Sequence, residues 1–198
     1  MDLGCGADSP IKYCKVKLGI GVDGFRPSIK ASKEKKIHDN YILSDITCLN
    51  FRPASVDVVM LIEVLEHLPR KDGELLLEKA ETWAKKKVII SSPNGFFPQP
   101  DMNGNHYFRH ISGWEVEKMK RQGYKAHGLA GLKSLRRGST SEEEADGGLA
   151  STIRFRPKSF WLIISELVQI VTYYFPKAAF EVFYVKQIKS DIGKLTIK

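Results

Sequence analysis

The sequence predicts an α/β fold with a mainly parallel sheet, and three observations support this prediction. Short apolar runs alternate with amphipathic stretches over the first two-thirds of the 198 residues, which is typical of β-α units. The apolar runs end in glycine or polar residues, and ligands of such sheets bind at the carboxyl ends of the strands. The hydrophobic content of 42% is sufficient for one globular domain with a core of ordinary size.

Seven strands and three helices are predicted in chain order. The strands are expected at 1–3, 18–22, 41–43, 56–62, 88–91, 124–129 and 180–187, and the helices at 71–86, 112–122 and 158–175. Ser112 is the predicted N-cap of the second helix and Gly123 its stop, and Pro176 ends the third. Because the first strand reaches its turn at Gly4, we expect residues that normally precede it to be missing from this sequence.

We expect a single domain over 1–198. Its ligand-binding core is predicted at 1–130, and an extra helix and the last strand at 158–187. The segment 136–151 is polar, rich in glycine and without periodicity, which predicts a flexible loop.

Composition restricts the partners and the compartment. The net charge of +8 and the pI near 9.3 favour acidic partners such as RNA, phosphorylated metabolites or an anionic membrane surface, although the lysines are dispersed as on solvated faces. The cysteines Cys5, Cys14 and Cys48 form no C-x-x-C pair, which favours a reducing, cytoplasmic location. The apolar run 160–175 is too short to span a bilayer and carries Glu166. Its broad apolar surface indicates core or a dimer interface, with peripheral membrane contact or a lipid-like acceptor as the alternative.

Glycines and acids follow the first three predicted strands. Asp2-Leu3-Gly4-Cys5-Gly6 provides a tight turn where the backbone can approach a ligand. The third glycine of a dinucleotide motif is replaced by Ser9, which weakens a nicotinamide-dinucleotide interpretation. Asp23 can accept hydrogen bonds from ribose hydroxyls, and Asp45 from an adenine amino group that Ile46 covers. The set predicts a nucleoside pocket.

These segments, together with 56–68 and 88–94, resemble the ordered motifs of class I methyltransferases of the type 11 group, over residues 1 to about 130. The resemblance implies a Rossmann-like α/β/α sandwich whose seven-stranded, mostly parallel sheet has one antiparallel strand and a truncated first strand. It also implies an enzyme that uses S-adenosylmethionine. Asp8 stands where the family's turn usually has a further glycine. The implied cofactor-binding residues are Asp2, Gly4, Cys5, Gly6, Asp23, Gly24, Asp45, Ile46 and Glu63.

A second group of residues follows the fourth strand. Glu63, Glu66 and His67 are spaced to share one helical face, and His110 follows the loop after strand five. The pattern resembles the metal ligands of small-RNA 3′-terminal 2′-O-methyltransferases and ubiquinone-pathway O-methyltransferases, which implies a divalent metal on Glu63, Glu66, His67 and His110. Two alternatives stay open: His67 or His110 is a metal-free catalytic base, or these residues are structural.

The loop between strand five and the next helix combines aromatic and polar residues, which favours a substrate-contacting lid over a plain connection. Its candidate substrate-binding residues are Asn94, Phe96, Phe97 and His106. The predicted reaction is O-methylation of a small-molecule, sugar or lipid-linked acceptor. The alternatives are a metal-dependent RNA 2′-O-methyltransferase and a non-catalytic nucleoside-binding member of the fold.

Overall fold

A computed structural model describes residues 1–102 and 104–189. Within these ranges seven strands form one sheet in the order β3-β2-β1-β4-β5-β7-β6. The strands are β1 (Asp2–Leu3), β2 (Ile20–Asp23), β3 (Asn40–Leu43), β4 (Val56–Ile62), β5 (Ala84–Pro93), β6 (Lys125–Leu132) and β7 (Ala179–Gln187). Every predicted strand is present, and β5 and β6 are longer than predicted.

The strand directions confirm the mostly parallel, Rossmann-like arrangement. β1 pairs in parallel with both β2 and β4, and β2 pairs in parallel with β3. β7 runs against β5, because the amide of Asn94 donates to the carbonyl of Phe180 while the amide of Ile188 donates to that of Lys86. The antiparallel last strand is therefore confirmed.

The helices are α1 (Arg26–Glu34), α2 (Arg70–Trp83), α3 (Val116–Arg121), α4 (Glu142–Asp146), α5 (Gly148–Ser151), α6 (Lys158–Leu167) and α7 (Gln169–Tyr174). Ser112 does not cap α3, which begins after Glu115, because the Ser112 hydroxyl instead donates to the carbonyl of Leu65. Gly123 ends α3 as predicted, with a φ of 91° that suits glycine.

Two short helices, α4 and α5, lie in the segment where the sequence predicted a loop. The Ser141 hydroxyl accepts a hydrogen bond from the amide of Glu144 and so starts α4. The predicted helix at 158–175 is divided into α6 and α7 at Val168. No helix within 1–102 and 104–189 has the length and apolar character needed to cross a bilayer.

The chain divides into two compact units. The first comprises Met1–Ile62, Glu74–Ile89 and the described residues from Val185, and the second comprises Glu63–Gly73 and Ile90–Tyr184. Buried side chains form a core in each. The first core includes Leu3, Val22, Leu61, Leu76 and Trp83, and the second includes Leu65, Ile90, Trp114, Met119 and Tyr184.

Candidate functional site

The glycine turn after β1 is tied directly to the end of β2. Gly4 and Gly6 have φ angles of 66° and 56°, which only glycine adopts without strain. The amide of Cys5 donates to the carbonyl of Val22 at 2.9 Å, and the amide of Gly6 donates to Oδ2 of Asp23 at 2.8 Å. The structure thus brings together the turn and the first predicted acid.

Asp23 and Asp45 lie at the same edge of the sheet, because β2 and β3 are parallel neighbours with Asp23 opposite Leu43. Oδ1 of Asp23 accepts from the amide of Phe25, and burial raises the pKa of this carboxyl. Oδ1 of Asp45 accepts from the amide and the hydroxyl of Thr47, so Asp45 caps the 3-10 helix Ile46–Cys48. Gly4, Gly6, Asp23 and Asp45 are called the glycine–aspartate cluster below.

Asp2 occupies a buried network rather than an open strand end. Its Oδ2 accepts from the hydroxyl of Ser9 at 2.5 Å and lies 2.9 Å from Nε2 of His38. Ser9 also accepts from the amide of Ile11, and so begins the 3-10 helix Pro10–Tyr13. The structure therefore places the Asp2 side chain behind the glycine turn, where it supports the loop. The Ser9-Pro10 pair was the sequence signal for this cap.

The remaining residues predicted to contact the cofactor are small or buried. Cys5 is buried, and burial raises the pKa of its thiol to about 12. The thiol therefore stays protonated and uncharged and serves as a packing group. A side chain at Gly21 would meet Nδ1 of His38 and Sγ of Cys5, which explains glycine in β2. Gly24 lies in the half-buried bend after β2, and Ile46 is buried.

In the second unit, Glu66, His67 and His110 converge. One donor atom from each lies within 4.8 Å of the others. Nδ1 of His67 is 3.1 Å from the carbonyl of Arg109, and Nδ1 of His110 is 2.8 Å from that of Phe97. A carbonyl only accepts, so both Nδ1 atoms carry the proton and both Nε2 atoms keep a free electron pair. These three residues are called the glutamate–histidine cluster below.

Burial determines the electrostatics of this cluster. Glu66 is 1% exposed, and no N–H or hydroxyl group within the described ranges donates to its carboxyl oxygens, whose side-chain hydrogen-bond partner is the Glu63 carboxyl. Burial raises the pKa of Glu66 to about 8 and, reinforced by His110, lowers the pKa of His67 to about 4. Burial also lowers the pKa of His110. A group of buried carboxyls without a cationic partner is costly to ionise, and this cost suggests a ligand that supplies positive charge.

Two further acidic groups lie beside the cluster. Glu63 adopts a φ of 53°, its amide donates to the carbonyl of Ser91, and its Oε1 accepts from the Ser91 hydroxyl at 2.5 Å. Burial, then the Glu66 carboxyl, raise the pKa of Glu63 to about 8, and burial, then Glu63, raise the pKa of Glu181 to about 9. The sequence assigned no role to Ser91, although it lies in the motif 88–94, and gave no signal for Glu181, which lies outside every motif.

The predicted lid residues have different surroundings. The Asn94 side chain is buried and donates to the carbonyls of Pro176, Lys177 and Ala179, so it fastens the chain before β7. Phe97 packs edge-on against Phe180, whereas Phe96 is 57% exposed. The exposed His106 contacts Oδ2 of Asp101 at 2.7 Å, and Arg109 donates to both oxygens of that carboxylate.

Comparison with known proteins finds a domain family that resembles the first part of the chain. A family model described as the methyltransferase domain matches residues 1–91. No curated protein matches the chain.

Solved structures share the fold. A SAM-dependent methyltransferase from Archaeoglobus fulgidus aligns with a TM-score of 0.57 and 18% identity, over 94% of this chain and 84% of that chain. The putative methyltransferase in complex with the Trm112 methyltransferase activator of Haloferax volcanii has a TM-score of 0.56 and 15% identity, over 94% and 80%. Phosphoethanolamine N-methyltransferase 1 from Haemonchus contortus, in complex with phosphoethanolamine and S-adenosylhomocysteine, aligns with a TM-score of 0.55 and 12% identity, over 100% of this chain and 40% of that chain. The chain spans less than two thirds of several matched structures, at 63%, 45% and 40% of their lengths.

Proposed function

We propose that the chain is a class I S-adenosylmethionine-dependent methyltransferase that methylates a hydroxyl oxygen of a small-molecule, sugar or lipid-linked acceptor. The convergence of Glu66, His67 and His110 is the observation that supports an oxygen acceptor. A hydroxyl, unlike an amine, must lose a proton of high pKa to become a good nucleophile, and carboxylates and imidazoles can assist that loss directly or through a cation.

The glycine–aspartate cluster is the proposed cofactor site. The half-buried backbone of Gly4 and Gly6 would face the methionine part. Asp23 would accept from both ribose hydroxyls while its carboxylate keeps its hydrogen bonds to the amides of Gly6 and Phe25. Asp45 retains Oδ2 for the adenine amino group, since Oδ1 caps the following turn. Ile46 would cover the ring.

The proposed reaction is an in-line displacement. The acceptor oxygen forms a bond to the methyl carbon, the carbon–sulfur bond breaks, and its electron pair remains on sulfur to give S-adenosylhomocysteine. The hydroxyl proton leaves to a base or to solvent. Because the sulfonium is already an activated leaving group, the protein mainly orients the acceptor and promotes this proton loss.

The pKa values favour a cation over a free histidine base. A His67 whose pKa is about 4 would hold a proton poorly at neutral pH. The same neutral imidazole, with Nδ1–H fixed on a backbone carbonyl and Nε2 free, is the form that ligates metals. We infer that Glu66, His67 and His110, with Glu63, would hold a divalent cation. When bound, such an ion lowers the pKa of an acceptor hydroxyl.

The protein's own residues then have defined roles. The carbonyls of Arg109 and Phe97 orient the two imidazoles, and the Ser91 hydroxyl orients Glu63. In the lid, the exposed Phe96 and the pair of Asp101 with His106 are the groups available to an acceptor.

Calorimetric titration with Mn²⁺ tests the proposal. We expect the wild type to bind one ion, and Glu66→Gln, which keeps the shape and removes the charge, to weaken binding at least about tenfold. Glu34→Gln, which changes an exposed glutamate in α1, is the matched control and should bind Mn²⁺ as the wild type does.

Release of S-adenosylhomocysteine with a panel of phenols, sugars and lipid-linked phenols then reports activity. A wild type that binds no Mn²⁺, or a Glu66→Gln variant that binds it equally well, contradicts the cation site. Transfer to amines alone contradicts the oxygen acceptor.

A further inference from the structure

The α6–α7 segment has its apolar face outward. Its outward side chains are 52–73% exposed at Phe160, Ile163, Leu167, Ile170, Val171, Tyr174 and Phe175. Three of its polar side chains face inward: Ser165 and Thr172 are 0% exposed, and Gln169 is half-buried. This is the reverse of the usual surface helix, which buries its apolar stripe.

The neighbouring strand explains why the polar side faces inward. β6 lies at the end of the sheet, so one row of its backbone groups lacks a strand partner. Gln169 accepts from the amide of Gly131 and donates to the carbonyl of Gly128, and Ser165 donates to the carbonyl of Ala130. Gly128 and Gly131 are necessary for this close approach, because side chains there would collide with Thr172 and Ser165. Because the polar side chains of α6 and α7 turn inward to hydrogen-bond the edge of β6, the apolar side of these helices is left exposed.

Charge indicates what covers this outer face. The exposed cations Arg154, Arg156 and Lys158 lie immediately before or at the start of α6, whereas Lys177, which follows α7, is paired with Glu117. Glu166 is the single acid between positions 154 and 177. A second copy would bring one basic rim against another, in a protein of net charge +8. An anionic bilayer surface complements both the apolar stripe and its basic border.

We propose that the outer face of α6 and α7 docks on an anionic membrane surface, with the apolar side chains inserted at the headgroup level. Arg154, Arg156 and Lys158 contact the lipid phosphates. The docking is peripheral and does not depend on the identity of the methyl acceptor.

Vesicle cosedimentation tests this docking. The wild type should bind vesicles of mixed phosphatidylcholine and phosphatidylglycerol more strongly than pure phosphatidylcholine, and more weakly as salt rises. Leu167→Glu with Ile170→Glu should lower the partition coefficient at least about tenfold. Both side chains are more than 60% exposed, so the variant is expected to fold, which its melting temperature checks. The matched control is Val16→Glu with Leu18→Glu, two exposed apolar residues outside this segment.

Three outcomes would overturn the proposal. In the first, the wild type stays in the supernatant with anionic vesicles. In the second, the variant Leu167→Glu with Ile170→Glu sediments with the vesicles as the control does. In the third, sedimentation velocity shows a dimer for the wild type and a monomer for that variant. The last result would assign the face to a second copy. Binding of S-adenosylhomocysteine by the same variants reports separately on the cofactor site, so failure of membrane docking and failure of the proposed enzyme function are distinguishable.

Discussion

The glycine–aspartate and glutamate–histidine clusters differ in how their polar groups are satisfied. Asp23 accepts hydrogen bonds from two backbone amides, and Asp45 accepts from Thr47. In contrast, the buried carboxyl of Glu66 accepts from no N–H or hydroxyl group of the described residues, and the Nε2 atoms of both histidines keep free electron pairs. The first cluster is completed by the fold itself, whereas the second stores a cost that a ligand would relieve.

This difference has opposite consequences for stability. Removing a group that the fold uses leaves its partners unpaired, and so lowers the free energy of unfolding. Removing a buried carboxyl whose ionised form the fold does not stabilise relieves the folded state of the ligand-free protein once the pH exceeds the pKa of that group. Structural and ligand-binding roles can therefore be separated by measuring stability and binding on the same variants.

The largest effect is expected for Asp23→Ala. The amides of Gly6 and Phe25 lose their acceptor and the ribose loses its own, so we expect unfolding free energy to fall by about 2 kcal/mol and affinity for S-adenosylhomocysteine to fall about 100-fold. Urea denaturation and calorimetric titration measure the two quantities. Asp8→Ala, which removes an exposed carboxylate paired with Lys12 and Lys35, is the control and should change affinity by less than about threefold. An affinity of Asp23→Ala for S-adenosylhomocysteine that falls no more than that of the control would contradict the proposed ribose contact.

An intermediate effect is expected for the pH dependence of stability in the presence of a chelator. The pKa of Glu66 is about 8 when folded and near its model-compound value of 4.5 when unfolded. The folded protein therefore binds the extra proton between these two values, and its stability decreases as pH rises through that window. We expect the wild type to lose at least about 2 kcal/mol of unfolding free energy between pH 5.5 and 8.5, because the pKa values of Glu63 and Glu181 are raised as well and these carboxyls lose their protons in the same direction.

Glu66→Gln sharpens this comparison, because the amide does not titrate. Its stability curve should be flatter, and above pH 8 the variant should be more stable than the wild type. Urea denaturation at a series of pH values measures both curves. Parallel curves for the two proteins would show that Glu66 does not titrate in this window.

Much of the first cluster was predictable from sequence, because its residues follow directly in chain order from strand ends. The turn at Gly4 and Gly6 and the position of Asp23 after β2 were predicted, and their geometry agrees. Sequence could not tell that Asp2 is committed to Ser9 and His38, since that network joins residues distant in the chain. Spacing alone does not show on which side of a strand a carboxylate points.

The second cluster was predicted only in part. Glu66, His67 and His110 do converge, but through a 3-10 helix at Leu65–His67 rather than the face of a regular helix. Glu181 comes from β7, more than a hundred residues later, and no local pattern indicates it. The α6–α7 face was recognised as apolar, yet its outward orientation depends on the hydrogen bonds that the β6 edge needs.

The smallest effect is expected for Asp45→Asn. The asparagine Oδ1 can still accept from Thr47, so the cap and the stability should be retained within about 0.5 kcal/mol. The oxygen proposed to accept from the adenine amino group becomes a donor, and affinity for S-adenosylhomocysteine should fall about fivefold. The 6-oxo analogue S-inosylhomocysteine offers an acceptor at the same position, so the variant should bind it better than the wild type does. Calorimetric titration of both ligands measures this reversal. If the variant keeps the wild type's preference for S-adenosylhomocysteine over S-inosylhomocysteine, then Asp45 acts only as a helix cap. In that case the fold uses this carboxylate entirely, in contrast to the carboxyl of Glu66.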